Sequence, residues 1–301
     1  MANSRQVTIA AVVITRNRVD LLRRTLGSLF DSETPFDEYV VCDDGDDDAA
    51  ELMLKREFPK VRHVRGARAG ISANRNLGIR VSHSDLILIT DDDILVDTKL
   101  AGTVLRLTQA QPDALFFPLR KENGVTFPPY GIDFLGFATR PYSAGEPYHT
   151  ANQQCFVLSR SVTSKVLYDA LITRYGYEEL DFAYRVAAAG FKILLLEDCV
   201  CEHLAPGANH AFQLGKDANR LYFGLKRYFD VDRNWLRGVT FLAVASTHHV
   251  LASTKRVGLR KGVSDASHEI LMAFALLRRH RRDRQQTEPS LGEHPRSSSA
   301  A

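Results

Sequence analysis

Long apolar runs are missing from this chain of 301 residues. The nearest approach, residues 239–252, is shorter than a bilayer span and is interrupted by His248-His249, so it predicts a packed or surface-lying helix. Cysteine is scarce too. The four at positions 42, 155, 199 and 201 are too uneven for a disulfide framework in a chain this long, which points to a reducing compartment and hence the cytoplasm. A secretory leader pattern is absent, since the apolar residues 7–14 run straight into Thr15-Arg16-Asn17-Arg18 without a cleavage site and read as a first strand. The phosphate-binding signatures Gly-x-x-x-x-Gly-Lys and Gly-x-Gly-x-x-Gly do not occur either, and no internal repeat is visible.

What is present is a chain long enough for one large core and an appendage, 45% hydrophobic, with a net charge of +3. The charge is unevenly spread: residues 255–284 hold nine Lys or Arg against three acids, an excess of six. No nucleic-acid partner is expected. With Ile270, Leu271, Phe274 and Leu277 leading into Arg278-Arg279-His280-Arg281-Arg282, this region predicts helices that either pack on the rest of the protein or lie against anionic membrane. Residues 285–301 carry too little apolar content to fold and read as a disordered tail.

Residues 7–96 alternate short apolar runs with helical patterns in a βαβαβαβ order, the mark of a mainly parallel α/β sheet flanked by helices. Asn17 is expected to cap the first helix. Residues 122–150, rich in Gly, Pro and aromatics, show neither period and read as an irregular, substrate-facing loop. A helix over 160–172, another over 179–189 and a strand over 193–197 follow. On the second of these helices the spacing places Glu178, Asp181 and Arg185 on one face, and Leu180, Tyr184 and Ala187 on the packed face.

Acidic clusters end two of the strands. Asp91-Asp92-Asp93 follows the buried run 86–90, and Asp43-Asp44-Gly45 follows the second strand, so both fall on the rim where open α/β sheets bind ligands. Adjacent anions fit a hard divalent cation and a nucleotide; a capped acidic turn is the competing reading. Gly70 opens a helix bearing Asn74, Arg75 and Asn76, groups suited to phosphate oxygens. Glu178 and Glu179 at a helix start can project a general base into a cleft, whereas Asp181 also suits an ordinary ion pair with Arg185. Cys199, Cys201 and His203 alternate along a strand, about 6.6 Å apart, too far for two sulfurs on one zinc, so only His203 stays open as a ligand.

In this order the motifs resemble the inverting family 2 glycosyltransferases of the GT-A fold, over residues 7–205. The resemblance implies a nucleotide-sugar half (1–96), an acceptor half (97–205), and beyond them a basic helical region (206–284). It also implies donor contacts from Thr15, Arg16, Asn17, Asp43, Asp44, Arg75, Asn76, Asp91 and Asp92, with Asp44 on the base and Asp91 near the ribose. Asp93, with Asp91 and His203, would hold Mg²⁺ or Mn²⁺. The base falls on Glu179, where the family usually has aspartate, so Glu178 and Asp181 stay candidates. Asn152 and Gln153 are candidates for sugar or acceptor hydroxyls. The implied reaction moves a sugar from a UDP- or dTDP-sugar to a glycan, lipid-linked or small-molecule acceptor. A non-catalytic sugar-nucleotide binder and a metal-dependent nucleotidyltransferase are the rivals, the latter lacking its glycine- and lysine-rich loop after strand one.

Overall fold

Four runs of aliphatic and β-branched residues form the centre of one twisted sheet. In the computed structural model, which describes residues 6–151, 154–204 and 215–287, strands β1 (Ile9–Thr15), β2 (Glu38–Asp43), β3 (Arg62–Arg65) and β4 (Leu86–Asp91) lie parallel in the order β3-β2-β1-β4. Every residue of β1 and β4 is buried because helices cover both faces. Ile9, Ala11 and Val13 pack against α1 (Val19–Phe30) and α2 (Ala49–Glu57); Ala10, Val12 and Ile14 pack on the side of α3 (Ile71–Val81). The expected βαβαβαβ order is present.

Beyond β4 the sheet becomes mixed. A two-residue strand β5 (Ile94–Leu95) and helix α4 (Leu100–Thr108) lead to β6 (Leu115–Glu122). Strand β10 (Cys155–Ser159) runs antiparallel between β4 and β6, and β11 (Ile193–His203) runs parallel to β6 with a bulge between Leu196 and Val200. Six of the nine strands thus point one way.

Two expectations need correction. The span 122–150 is not irregular throughout: β7 (Val125–Phe127) folds back on β6, and β8 (Tyr130–Ile132) pairs with β9 (Ala138–Pro141). The first hairpin turns at Asn123-Gly124, whose φ angles of 49° and 80° are those of a primed two-residue turn. The helix expected over 160–172 stops early, as α5 (Arg160–Lys165). Asn76 is the reason. Its side-chain amide donates to the Tyr168 carbonyl and accepts from the Tyr168 backbone N–H, both at 2.9 Å, drawing that segment out of helix.

Helix α6 (Glu178–Ala188) follows, also turned differently from expectation: Glu178, Asp181, Phe182, Ala183 and Val186 face inward, while Leu180, Tyr184 and Ala187 are only partly buried. After it, α7 (Lys216–Lys226), a π-helical turn Arg227–Val231, α8 (Trp235–Val257) and α9 (Leu259–Thr287) build a separate apolar cluster around Tyr222, Tyr228 and Phe241. Buried His249 of α8 joins the three helices, with Nε2 2.7 Å from Glu269 of α9 and Nδ1 3.9 Å from Asp217 of α7. One ligand atom from each of Asp217, His249 and Glu269 lies within 4.8 Å of the others, a grouping that could hold a cation as well as clasp the helices. Among the described residues no helix is long and apolar enough to cross a membrane.

Candidate active site

The carboxyl ends of β1, β2 and β4 converge on one rim, as parallel strands in register must. Each aspartate of the triplet has its own partners. Asp92 accepts from Thr15 Oγ1 at 2.5 Å and from Arg18 Nε at 3.2 Å, and Arg18 also reaches its second oxygen. Arg18 Nη1 donates to Asp93 Oδ2 at 2.7 Å. Asp91 accepts from Arg75 Nη2 at 2.9 Å.

Burial pushes the Asp92 carboxyl up to about 7, with Arg18 and Thr15 opposing it. Burial also disfavours the Asp93 anion, yet His203 and Arg18 together hold Asp93 below the ordinary carboxylate range. His203 stands with Nε2 3.6 Å from Asp93 Oδ2; burial opposes its cationic form, but Asp93 and Glu122 raise its pKa on balance.

Asp93 Oδ1 and His203 Nδ1 are buried without a hydrogen-bond partner among the described residues. Two ligands sharing a Mg²⁺- or Zn²⁺-sized ion at about 2.1 Å each lie at most about 4.2 Å apart. The 3.6 Å between Asp93 and His203 is therefore compatible with a shared divalent cation, and a carboxylate with an imidazole is a donor set that Mn²⁺ accepts.

Arg75 is the second centre of charge. Its side chain is almost wholly buried beside the ring of Tyr168, and besides Asp91 it donates to Glu179 Oε1 at 2.7 Å and Glu178 Oε1 at 3.3 Å. One guanidinium thus links the triplet to the start of α6. Glu178 is held further by the Gly176 N–H, 2.7 Å from its other oxygen. Burial drives the Glu179 carboxyl up to about 8 despite Arg75. A carboxyl at that value is poised to exchange a proton near neutrality.

The loop that places Arg75 admits only glycine at its entry. Gly70 has φ of 101°, and a Cβ there would stand 2.4 Å from the Thr173 carbonyl oxygen. Beside it, Gly66 lets Asp44 approach: a Cβ on Gly66 would be 1.9 Å from Asp44 Oδ1, which accepts from the Arg68 N–H at 3.1 Å. An open cleft of about 330 Å³ adjoins this pair, lined by Asp46, Asp48, Arg65, Gly66, Ala67 and Arg68.

The other residues singled out in the sequence fall into distinct places. Asp43 is saturated, accepting from the Gly45 N–H at 2.7 Å and Arg65 at 3.1 Å, with His63 also at 3.1 Å. Asn17 does not cap α1. It has φ of 57°, and its amide exchanges two hydrogen bonds with Asp46, tying the end of β1 to the loop after β2. Arg16 is exposed, 3.7 Å from Asp46. Asn76 latches Tyr168, and Asn74 donates to the Cys42 carbonyl while its Oδ1, beside Gly66, is buried without a partner among the described residues. Asp181 points away from Arg75, into Arg185 at 2.8 Å and Lys226 at 2.5 Å. Asn152 and Gln153 lie outside the described residues. The four cysteines are free and buried, with Cys155 and Cys201 sulfurs 4.0 Å apart.

Sequence reasoning missed Arg18 as a partner of the triplet, although its place three residues after β1 was a usable signal. It also missed Lys226, whose pairing crosses 45 residues.

Among solved structures, S. aureus TarS matches with a TM-score of 0.57 at 14% identity, over 81% of this chain and 43% of its own. A mannosyltransferase from Pyrobaculum calidifontis, PcManGT, solved with GDP-Man and Mn²⁺, matches at 0.57 and 17% identity, over 93% of this chain and 88% of its own. GalNAc-T7, solved with UDP, GalNAc and Mn²⁺, matches at 0.63 and 13%, over 95% and 59%. The chain spans less than half the length of TarS, and at these identities the likeness is one of fold. No curated protein matches in sequence. The profile described as Glycosyl transferase family 2 matches residues 10–167, just over half of the chain. The chain belongs to glycosyl transferase family 2.

Proposed function

We propose that the protein is an inverting glycosyltransferase that moves a sugar from a UDP- or dTDP-sugar to an acceptor hydroxyl, with Glu179 as general base. The observation that carries this reading is the single guanidinium of Arg75, which holds Asp91 and Glu179 on its Nη2 at 2.9 and 2.7 Å. A donor anchored at the triplet would thereby present its anomeric carbon to the start of α6.

The acceptor oxygen attacks the anomeric carbon from the side opposite the nucleotide, and its proton passes to the Glu179 carboxylate. The carbon–oxygen bond to the diphosphate breaks, its electron pair staying on the phosphate oxygen. Asp44 and the cleft beside Gly66 suit the nucleobase, with an acidic acceptor for a ring N–H. Arg68, half-exposed beside that cleft, is available to phosphate oxygens. Mg²⁺ or Mn²⁺ held by Asp93 and His203 would supply Lewis-acid stabilisation of the leaving diphosphate. PcManGT and GalNAc-T7 contain Mn²⁺ and sugar nucleotides or their parts, which supports the same assignment here.

Glu179 is favoured over its neighbours for geometric reasons. Glu178 is more deeply enclosed and spends one oxygen on the Gly176 N–H, and Asp181 is engaged by two cations on the far side of α6. A glycan, a small molecule or a lipid-linked sugar fits as acceptor, and the cytoplasm fits the free thiols.

The test is nucleotide release over a panel of sugar nucleotides, with Mn²⁺ and with chelator. Glu179→Gln should lower turnover by about 10²–10⁴-fold without loss of nucleotide binding, the usual range for a removed general base. Nucleotide binding without turnover on any acceptor would instead indicate a sugar-nucleotide-binding relative, and activity unaffected by Asp93→Ala would sink the metal assignment.

A further inference from the structure

The outer side of α8 is uncharged where a surface helix is ordinarily charged, and both α8 and α9 expose large apolar side chains. Of the six large apolar side chains more than 60% exposed among the described residues, five lie on these two helices: Trp235 (69%), Leu236 (63%), Leu251 (64%), Leu259 (71%) and Leu271 (67%). Helix α8 buries a narrow stripe, Gly238, Phe241, Ala245, His249 and Ser253, and leaves Leu236 and Leu251 to solvent. From residue 238 to 254 it has no Asp, Glu, Lys or Arg at all.

Positive charge brackets this surface. Arg233 and Arg237 stand at one end of the uncharged stretch, Lys255 and Arg256 at the other. On α9, at 3.6 residues per turn, Arg260, Leu271, Arg278 and Arg282 share a sector of about 40°, opposite the buried Ala266 and Ala273. Two of the three acids are drawn aside, Glu269 to His249 at 2.7 Å and Asp283 to Arg279 at 4.0 Å. Residues 233–284 carry eleven Lys or Arg and three acids, an excess of eight in a chain whose total is +3.

We propose that the outer faces of α8 and α9 dock on an anionic lipid surface, lying in its plane with Leu236 and Leu251 in the headgroup region and Trp235 at the helix end beside Leu236. Apolar side chains among cationic rims suit a negatively charged interface. A second copy fits less well, since two faces of the same strong positive charge would be opposed. The inference stands on the helices alone and survives any revision of Glu179. Taken with the proposed reaction, it favours an acceptor carried on lipid.

The chain has one tryptophan, exposed at the start of α8 next to Leu236 at the edge of the proposed surface, so its emission is a usable probe. The full chain is mixed with phosphatidylcholine vesicles with or without phosphatidylglycerol, at low and high salt. Docking predicts sedimentation with the anionic vesicles, a blue shift of the Trp235 emission, and partition stronger by an order of magnitude or more than to neutral vesicles, weakening with salt. Arg278→Glu/Arg282→Glu should abolish the preference for anionic vesicles, and Leu251→Ser/Leu271→Ser should lower binding to them, with circular dichroism showing both variants folded. Absence of sedimentation and of a blue shift at low salt would overturn the proposal. So would equal binding to both vesicle types, or a concentration-dependent blue shift without vesicles, which would mark self-association.

Discussion

Replacing Arg18 by alanine removes the cation that Asp92 and Asp93 share. In the structure its guanidinium donates to Asp93 Oδ2 at 2.7 Å and grips both oxygens of Asp92, so a divalent cation entering at Asp93 must compete with it. Unit charges about 4 Å apart interact by about 4 kcal/mol at an effective dielectric constant near 20. The Arg18 side chain is 42% exposed, so solvent and ions screen most of this, leaving about 1–1.5 kcal/mol. That corresponds to roughly tenfold in affinity. Mn²⁺ should therefore bind nucleotide-free Arg18→Ala about tenfold more tightly than the parent protein, measured by calorimetry or by the electron paramagnetic resonance signal of free Mn²⁺. If the displaced Arg18 then turns to the donor diphosphate, UDP affinity in saturating Mn²⁺ should fall in the same variant. Unchanged or weaker Mn²⁺ binding by Arg18→Ala would refute the competition, and Asp93→Ala, which should not bind Mn²⁺ at this place, controls for adventitious sites.

The pH dependence follows from Glu179, whose carboxyl is raised to about 8 and must be ionised to act as base. Transfer should therefore rise with pH through that value, and Glu179→Asp should move the limb or lower its plateau; a flat profile from pH 6 to 9, in a range set by the usual acid–base groups, would argue against this residue. Lys226→Met should cost about 3–5 kcal/mol of stability, because Asp169 and Asp181, both 2.5 Å from the ammonium, would be left buried without it. Adding Asp181→Asn should restore part of the lost Tm. Gly70→Ala places a methyl against the Thr173 carbonyl at φ 101°, which should cost upward of about 1 kcal/mol and, by moving α3, weaken nucleotide binding more than it weakens the fold.

The first four strands and three helices could be read from the sequence because each strand is a short apolar run and each helix repeats at 3.6 residues. The rim could be read for the same reason: once β1, β2 and β4 are parallel, Thr15, Asp44 and Asp91 must sit together. What escaped was decided by side chains distant in sequence. Asn76 looked like a phosphate ligand and instead ends α5 by bonding both backbone groups of Tyr168, 92 residues away. Asn17 looked like a cap, but it meets Asp46 across the rim. The hairpin at Asn123-Gly124 was legible and overlooked, since that dipeptide between two extended segments is a strong turn signal.

The inward turn of α6 connects these observations. Amphipathic spacing would bury Leu180 and Tyr184, but burying Glu178 and Asp181 becomes favourable once cations meet them from two directions. Arg75 of α3 takes Glu178 and Glu179 on one side; Arg185 and Lys226 take Asp181 on the other. Because Lys226 ends α7, the C-terminal helices fix the rotation of α6 and so the position of Glu179. A glutamate reaches farther than the aspartate usual in the family, so the placement of its carboxyl depends on the rotation of α6. With Glu179 as the proposed base, the C-terminal region would act on it through Asp181, in the role of a positioning residue. Asp181→Asn should accordingly lower turnover through the placement of Glu179 while leaving the pH limb near its parent value. A limb that disappeared in Asp181→Asn but persisted in Glu179→Gln would reverse the two assignments.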